Sequence, residues 1–400
     1  FAIDELPEAR RCLGLDDPVV PLDPVLERRP GQVRAADERD ALLCRARDDV
    51  RLRVEALASR LEHTNLDRSL EIEQFPSGYS NLTYLLRWAP AGGGRHLVLR
   101  RPPFGTEVAT AHDMAREFRI LSRLHAIYPK APRPLLLCDD PAILGATFYV
   151  MERREGVILR ATMPRAMHPA PARMTGIAES LVEALAELHG VDAEAAGLGD
   201  LGRPVGYVAR QIEGWTKRWR SARTDEVPAM DEVADWLSGN RPAESGAALI
   251  HNAFKYDNLV LDPDEWSRVT GVLGWEMATR GDPLMDLGTT LGYWVDPDDP
   301  PEVRALALSP TTLAGNLSRA EVVARYAERT GRQIGAPVFY YAYGVFKIAV
   351  IIQQIYYRFR KGLTTDRRFA GLGEGVRGCA LMARQAIEKG RLDRLFEGRR

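Results

Sequence analysis

Cysteine is scarce in this 400-residue chain: Cys12, Cys44, Cys138 and Cys379 stand too far apart for a CxxC metal or redox pair, and they make no disulfide framework. That scarcity suits a reducing, cytoplasmic setting. Net charge is nearly absent too. Lys+Arg 54 against Asp+Glu 55 leaves −1, so broad electrostatic capture of nucleic acid or of an anionic membrane is disfavoured. The opening FAIDELPEARRCLGLDD mixes acids and arginines without an apolar centre, which is not the pattern of a signal peptide, and it starts on Phe rather than Met, as a trimmed chain would. No clean lipid-length run occurs. The nearest, APVFYYAYGVFKIAVIIQQIYY (336–357), is split by Lys347 and carries Gln353 and Gln354, so a buried helix is expected there rather than a membrane span. GxSxG is missing, AGGGR has no Lys-Ser/Thr behind it, and the seven histidines show no HxxxH or HxxEH pairing. Hydrolase, Walker-type and zinc-enzyme readings therefore fall away.

What is present is ordinary globular material, 45% hydrophobic and 27% charged, in a length that supports two or three packed units. Residues 1–38 are rich in Pro, Asp and Arg without period, whereas 39–63 place Leu43, Val50, Val54, Leu57 and Leu61 at helical spacing. From Glu71 the period shortens to EIEQF, NLTYLLRW and HLVLR, short β-type runs with PAGGGR as a hairpin turn. AHDMAREFRILSRLHA (111–126) puts Met114, Phe118, Leu121 and His125 on one helical stripe. Glu117 lies at the edge of that stripe, where an acid calls for a cation partner. A Pro-rich KAPRPL (130–135) precedes a further strand, TFYVMER (147–153). Beyond it, 174–189, 207–220, 228–238, 319–330, 336–361 and 366–389 read as helices, interrupted by short β runs at 248–251, 258–262 and 269–275. The expected class is α+β. It comprises an N-terminal extension (1–66, partly helical), a small antiparallel sheet lobe (67–153) and a larger helical lobe (154–400) with catalytic-type loops, the two-lobed plan of protein-kinase-like phosphotransferases.

The richest stretch is HNAFKYDN (251–258), followed by GWEMATRGDPLMDLG (274–288). Phosphoryl transfer needs an acid to orient or accept the hydroxyl proton, and a carboxylate plus an amide to hold Mg²⁺ against the phosphates. Kinase-like enzymes draw these from a His-x-Asp-x-x-x-x-Asn loop and a following strand that ends in Asp. Here the sequence resembles the aminoglycoside phosphotransferase and choline-kinase-like family, in particular the branch with the kinase-like domains of acyl-CoA dehydrogenase family members 10 and 11. FPSGYSNLTYLL, VLRRPP, AHDMAREFRIL, GATFYVMERREG, LIHNAFKYDNLVLDP and GVLGWEMATRGDPLMDLG follow that branch in order, over about residues 70–360.

The resemblance implies ATP and Mg²⁺ as cofactors and a residue-by-residue set of roles. Gly78, Ser80 and Asn81 look like the nucleotide-covering loop, Arg100 stands in the place of the phosphate-pairing strand lysine, and Glu117 fits its helix partner. Met151 and Glu152 look like the stretch between the lobes whose backbone meets adenine. His251 matches the histidine that braces the loop and Asn258 the amide that holds metal, while Asp257, Asp282 and Asp286 look like acids that hydrogen-bond loop amides.

Two departures outweigh these matches. Ala253 stands where the catalytic aspartate belongs, and Gly274 where the metal-binding aspartate belongs. Loss of the first removes an effect of about 10²–10⁴ in rate, and loss of the second about 10²–10³, without the two having to multiply. The expectation is a kinase-fold protein with weakened Mg²⁺ binding and little or no phosphotransferase activity: a pseudokinase, a repurposed protein or an inactivated variant. The alternative is an active ATP- and Mg²⁺-dependent small-molecule kinase in which Glu276, two positions along the strand from Gly274 and so on the same face, or Asp257 supplies the missing acid. The resemblance points to a hydroxyacyl-type small molecule as ligand and leaves room for a homodimer. WTKRW (215–219), Trp294 and FYYAYGVF (339–346) are expected in the core rather than in a ligand wall.

Overall fold

The alternating runs after Glu71 pair into a single antiparallel sheet. A computed structural model of the chain describes residues 70–397, save 76–80, 89–94, 104–112 and positions 306, 308 and 365. The extension 1–66 with its expected helix, Gly78, Ser80 and the glycine-rich turn lie outside the described residues. Strands β1 (Leu70–Gln74), β2 (Leu82–Trp88), β3 (Arg95–Arg101), β4 (Pro134–Cys138) and β5 (Phe148–Glu152) are ordered β1-β2-β3-β5-β4. The register sets Arg100 opposite Thr83 on one side and Tyr149 on the other. Period-two alternation gathers Tyr84, Leu86, Leu99, Cys138, Phe148 and Val150 into one apolar cluster. Strand β4 is an element that the Pro-rich reading of 130–135 passed over. Pro134 opens the strand, where a missing N–H costs least, and a register shift separates it from Leu136. Helix α1 (Met114–Leu124) starts at Asp113, whose carboxylate accepts from the Arg116 N–H at 2.9 Å.

The chain divides into two compact units. The first holds the sheet, with the described residues up to Ser122 and Pro132–Arg153; the second holds Arg123–Ala131 and everything from Arg154 on. The second unit is built from helices α2 (Pro171–His189), α3 (Tyr207–Ala222), α4 (Pro228–Gly239), α5 (Pro283–Gly292), α6 (Arg319–Thr330), α7 (Pro337–Arg360) and α8 (Leu372–Lys389). Proline fills the first turn of α2, α4, α5 and α7, where its fixed φ fits and no N–H is needed. A capping box of Ser318 and Glu321 starts α6. The helix expected over 366–389 is shorter than its sequence pattern. Arg367–Phe369 forms a separate 3₁₀ turn and α8 begins only after Gly371.

The apolar run split by Lys347 is α7, whose residues Phe339–Val350 are buried inside this unit. It crosses α5 with backbones in contact, since a Cβ at Gly344 would lie 1.7 Å from the Gly288 carbonyl oxygen. Trp215, Trp219 and Trp294 are buried as core residues, and the Trp294 indole donates to the Leu317 carbonyl at 2.7 Å. Two small ladders carry the motif loops: β6 (Ala248–Ile250) pairs with β9 (Thr279–Gly281), and β7 (Leu259–Leu261) pairs with β8 (Val269–Val272).

Candidate functional site

In the helical unit the site is the turn that leaves β6, the 3₁₀ turn Tyr256–Asn258 before β7, and the exit of β8. His251 is fully buried and spans two of these pieces: one ring nitrogen, Nε2, lies 3.0 Å from the Leu273 carbonyl, and Nδ1 accepts the Ala253 N–H at 3.3 Å. That pairing fixes a neutral imidazole with the proton on Nε2, and burial pulls its pKa further down. Trp275 and Phe254 pack edge-on against the ring, with centroids 4.8 and 5.6 Å away. The histidine therefore braces the loop.

Asn252 next to it holds a left-handed φ of 66°. For a residue with a Cβ this costs about 1–2 kcal/mol, and four interactions offset that cost. The Asn252 N–H donates to Asp286 at 2.7 Å, its amide donates to the Met277 carbonyl at 3.1 Å, and its carbonyl and side-chain oxygens accept from Lys347 Nζ at 3.2 and 3.0 Å. Asp286, on α5, also takes the His251 N–H at 2.7 Å and stands 3.1 Å from His189 Nε2. Burial alone would push this carboxyl up. The His189 hydrogen bond and the backbone donors outweigh it and hold the carboxyl below its usual range. Asp282 caps α5 through the Leu284 N–H at 2.8 Å and ties down Ser245.

Asn258 donates its side-chain N–H to the Ala253 carbonyl at 2.7 Å, and its own carbonyl accepts from Leu273 at 2.7 Å. Ala253 and Asn258 are thus held together across the loop. Gly274 ends the run from β8 in a left-handed conformation, φ 84° and ψ 50°. A Cβ built there would meet the Asn258 amide at 3.0–3.2 Å, so the amide sits against the place of the missing side chain. The structure corrects the expectation for Glu276. β8 stops at Val272, and Trp275–Met277 is a 3₁₀ turn, so alternation along a strand does not put Glu276 on one face with Gly274. Asp257 differs too: rather than hold loop amides, it pairs with Lys255 Nζ at 3.2 Å through Oδ2, and its buried Oδ1 has no hydrogen-bond partner. Lys255 also stands 5.1 Å over the Tyr293 ring, whose phenol is pushed up by burial and by the charges of Glu276 and Asp257.

Mg²⁺ asks for near-octahedral oxygen with one or two carboxylates. The positions at which the resemblance places those acids do not fit it, since 253 carries a methyl group, 274 has no side chain, and the neighbouring Asp257 already carries an ammonium. Glu276, whose charge also acts on Tyr293, is an acid that remains beside them.

In the sheet unit, Arg100 on β3 and Glu117 on α1 form a buried ion pair through Arg100 Nη1 and Glu117 Oε1. Burial, then the Glu117 charge, pushes the adjoining Tyr149 phenol well up. Asn81 is buried at the start of β2. Met151 and Glu152 close β5 opposite Val98 and Leu97, and the Glu152 carboxylate accepts from the Arg133 N–H at 2.7 Å.

Lys347 is the residue that the sequence undervalued, though its place inside an apolar run was the signal. The residue is 2% exposed, and its ammonium donates also to Thr289 at 3.2 Å and lies 5.7 Å from the Trp215 ring. Burial pulls the amine down to about 8, against an ordinary value of about 10.4. Between those values the unfolded chain binds the proton more tightly, so the contribution of this lysine to stability rises with pH across that window. Lys347→Met is expected to remove that rise. Denaturation midpoints measured from pH 7 to 10 test it: the unmodified chain gains relative to the variant above pH 8, and parallel curves would contradict the assignment.

The profile of the phosphotransferase enzyme family matches residues 71–320. Acyl-CoA dehydrogenase family member 11 of Rattus norvegicus is 36% identical over 298 residues, which is 73% of this chain and 37% of that protein. The chain spans only 26% to 37% of the length of the acyl-CoA dehydrogenase relatives from mouse and rat. Among solved structures, a protein of Ralstonia eutropha JMP134 provisionally named an aminoglycoside phosphotransferase is 32% identical, with a TM-score of 0.69 over 84% of this chain and 98% of that one. An aminoglycoside phosphotransferase solved with GDP and kanamycin matches at a TM-score of 0.53 over 80% of this chain and 98% of that one; at 15% identity it shares the fold.

Proposed function

We infer the function of this chain from one premise: it belongs to the phosphotransferase enzyme family. Members of such a family bind a nucleotide and a small hydroxylated molecule, and the reading we adopt keeps the binding and drops most of the chemistry. The chain is a kinase-fold protein that binds an ATP-type nucleotide and a small molecule of the hydroxyacyl class, and it transfers phosphate weakly or not at all.

The observation that carries this reading is the pair Ala253 and Gly274 in an otherwise assembled loop. His251, Asn252 and Asn258 make the bonds that set the turn, yet the turn carries a methyl group where the hydroxyl proton would be taken. The exit of β8 carries no carboxylate, and the Asn258 amide lies against that position. Charge stabilisation at the transferring phosphoryl group and proton removal from the acceptor are therefore both without their usual groups.

One observation favours a second reading, an active kinase with Asp257 or Glu276 as substitute acid. Asp257 Oδ1 is buried without a hydrogen-bond partner, and both charges act on Tyr293. The two readings separate in a steady-state assay of ADP formation with Mg²⁺ against a panel of hydroxylated small molecules, hydroxyacyl thioesters included. The first reading expects turnover near background, unchanged by Asp257→Ala and Glu276→Ala. Measurable turnover abolished by either substitution would establish the second.

A further inference from the structure

We propose that a cavity at the end of α5, walled by α7 and α8, takes the alkyl chain of the hydroxyacyl ligand and limits how much of that chain is enclosed. The hydroxyacyl part rests on the reading above; the preference for an apolar group rests on the walls of the cavity.

Those walls follow from helical spacing. Tyr341, Val345, Ile348 and Ile352 stand at i, i+4, i+7 and i+11 along α7 and so form one stripe, and Cys379 and Met382, at i and i+3 on α8, line the same cavity. Tyr293, Trp294 and Val295, where the chain leaves α5, and Val303, in the short helical turn Pro301–Arg304, add to the lining. None of these side chains is charged at neutral pH, since burial pushes the Cys379 thiol up to about 12. The Trp294 indole already gives its N–H to the Leu317 carbonyl, and Arg319, 5.0 Å from the Tyr341 ring, is paired with Asp296 and Asp299. An ion entering here would shed its hydration without gaining a counter-charge, whereas an alkyl group has no such cost.

Size sets the limit. The cavity is about 40 Å³, counted as the space open to the centre of a water molecule, against about 10–15 Å³ for one water, so it encloses about three or four methylene groups. Tyr293 ties it to the motif loops. That residue lines the cavity, and its ring lies 5.1 Å from the ammonium of Lys255, the partner of Asp257 in the turn before β7. Gly292 and Tyr293 are half-buried, while Val345, Ile348 and Met382 are buried. A ligand with its hydroxyl at the loops therefore runs its chain past Tyr293 onto the α7 stripe.

The experiment is calorimetric titration of straight-chain primary alcohols, butanol to nonanol, into the full chain without nucleotide, on the unmodified protein, Ile348→Phe and Met382→Ala. Affinity is expected to climb about fourfold per methylene and then to level off once the cavity is full. The plateau should begin at a longer chain in Met382→Ala, and the climb should be lost in Ile348→Phe. A site-specific readout accompanies the titration: octanol is expected to slow alkylation of Cys379, followed by peptide mapping. A hydroxyacyl thioester with at least four carbons beyond its hydroxyl is expected to compete with octanol. Circular dichroism identifies a variant that does not fold; if Ile348→Phe is one, Met382→Ala and Cys379 protection still decide. Affinity indifferent to chain length, a climb that continues unbroken to nonanol, the same series in the folded variants, an unprotected Cys379, or no competition by the thioester each overturns the proposal. Any of these with silence in the turnover assay would leave the catalytically silent reading intact; turnover in that assay would sink that reading and leave the cavity's ligand to the alcohol series.

Discussion

Restoring both carboxylates, Ala253→Asp together with Gly274→Asp, is expected to raise Mg²⁺-dependent ATP turnover by about 10²-fold or more, while each single substitution gains less than about tenfold. The asymmetry follows from the two groups acting as a unit: an acid that orients the hydroxyl gains little without the metal that neutralises the phosphoryl group, and the reverse. The frame for both side chains is already in place. The Ala253 N–H and carbonyl are bonded to His251 and Asn258, so a longer side chain at 253 changes no backbone bond. Position 274 asks more. An aspartate there must adopt φ near 84°, at a cost of about 1–2 kcal/mol that Asp and Asn bear better than other residues. Its Cβ would also press on the Asn258 amide at 3.0–3.2 Å, a contact relieved only by moving the amide that now donates to the Ala253 carbonyl. ADP formation by the double variant, measured on the same hydroxylated panel, reads the outcome directly. No gain would mean that the chemistry was lost at further positions.

The second large effect is structural. Asp286→Ala is expected to destabilise the helical unit by about 3–5 kcal/mol, because it strands buried donors that this carboxylate now satisfies. Those donors are the backbone N–H groups of His251 and Asn252, each at 2.7 Å, with the His189 ring at 3.1 Å. Asp286→Asn, which keeps one acceptor oxygen, is expected to lose less. Because the carboxyl is held below its usual range, its contribution is fully present above a pH of about 4 and is lost only as the pH falls through its lowered value. Guanidinium unfolding at pH 7 measures the difference. A loss under about 1 kcal/mol would mean that the turn is held by Lys347 and His251 without it.

Local patterns explain how much of this could be read in advance. HNAFKYDN forms its own turn, with bonds from 251 to 253 and from 253 to 258, and that closeness made its framework legible in eight letters. Glu117 on the edge of an apolar stripe announced a partner, and the β3 arginine supplied it. The support beneath the turn was not legible. Asp286 reaches His189 across 97 positions, His189 reaches Tyr326 across 137, and Lys347 reaches Asn252 across 95. No period or spacing encodes such meetings, and a lysine inside an apolar run shows only that something polar must lie opposite. Glu276 illustrates a different limit: alternation was extended past the point where a left-handed glycine ends the strand direction.

We propose, as the central claim, that an assembled loop of this family transfers phosphate weakly or not at all because of positions 253 and 274. Single-turnover cleavage of ATP, with the unmodified chain in excess over nucleotide and Mg²⁺ and a hydroxylated acceptor present, tests it most directly. The account predicts that the γ-phosphate stays on the nucleotide at the rate seen without protein. Stoichiometric cleavage within the time of the assay would contradict it and give the site back its chemistry.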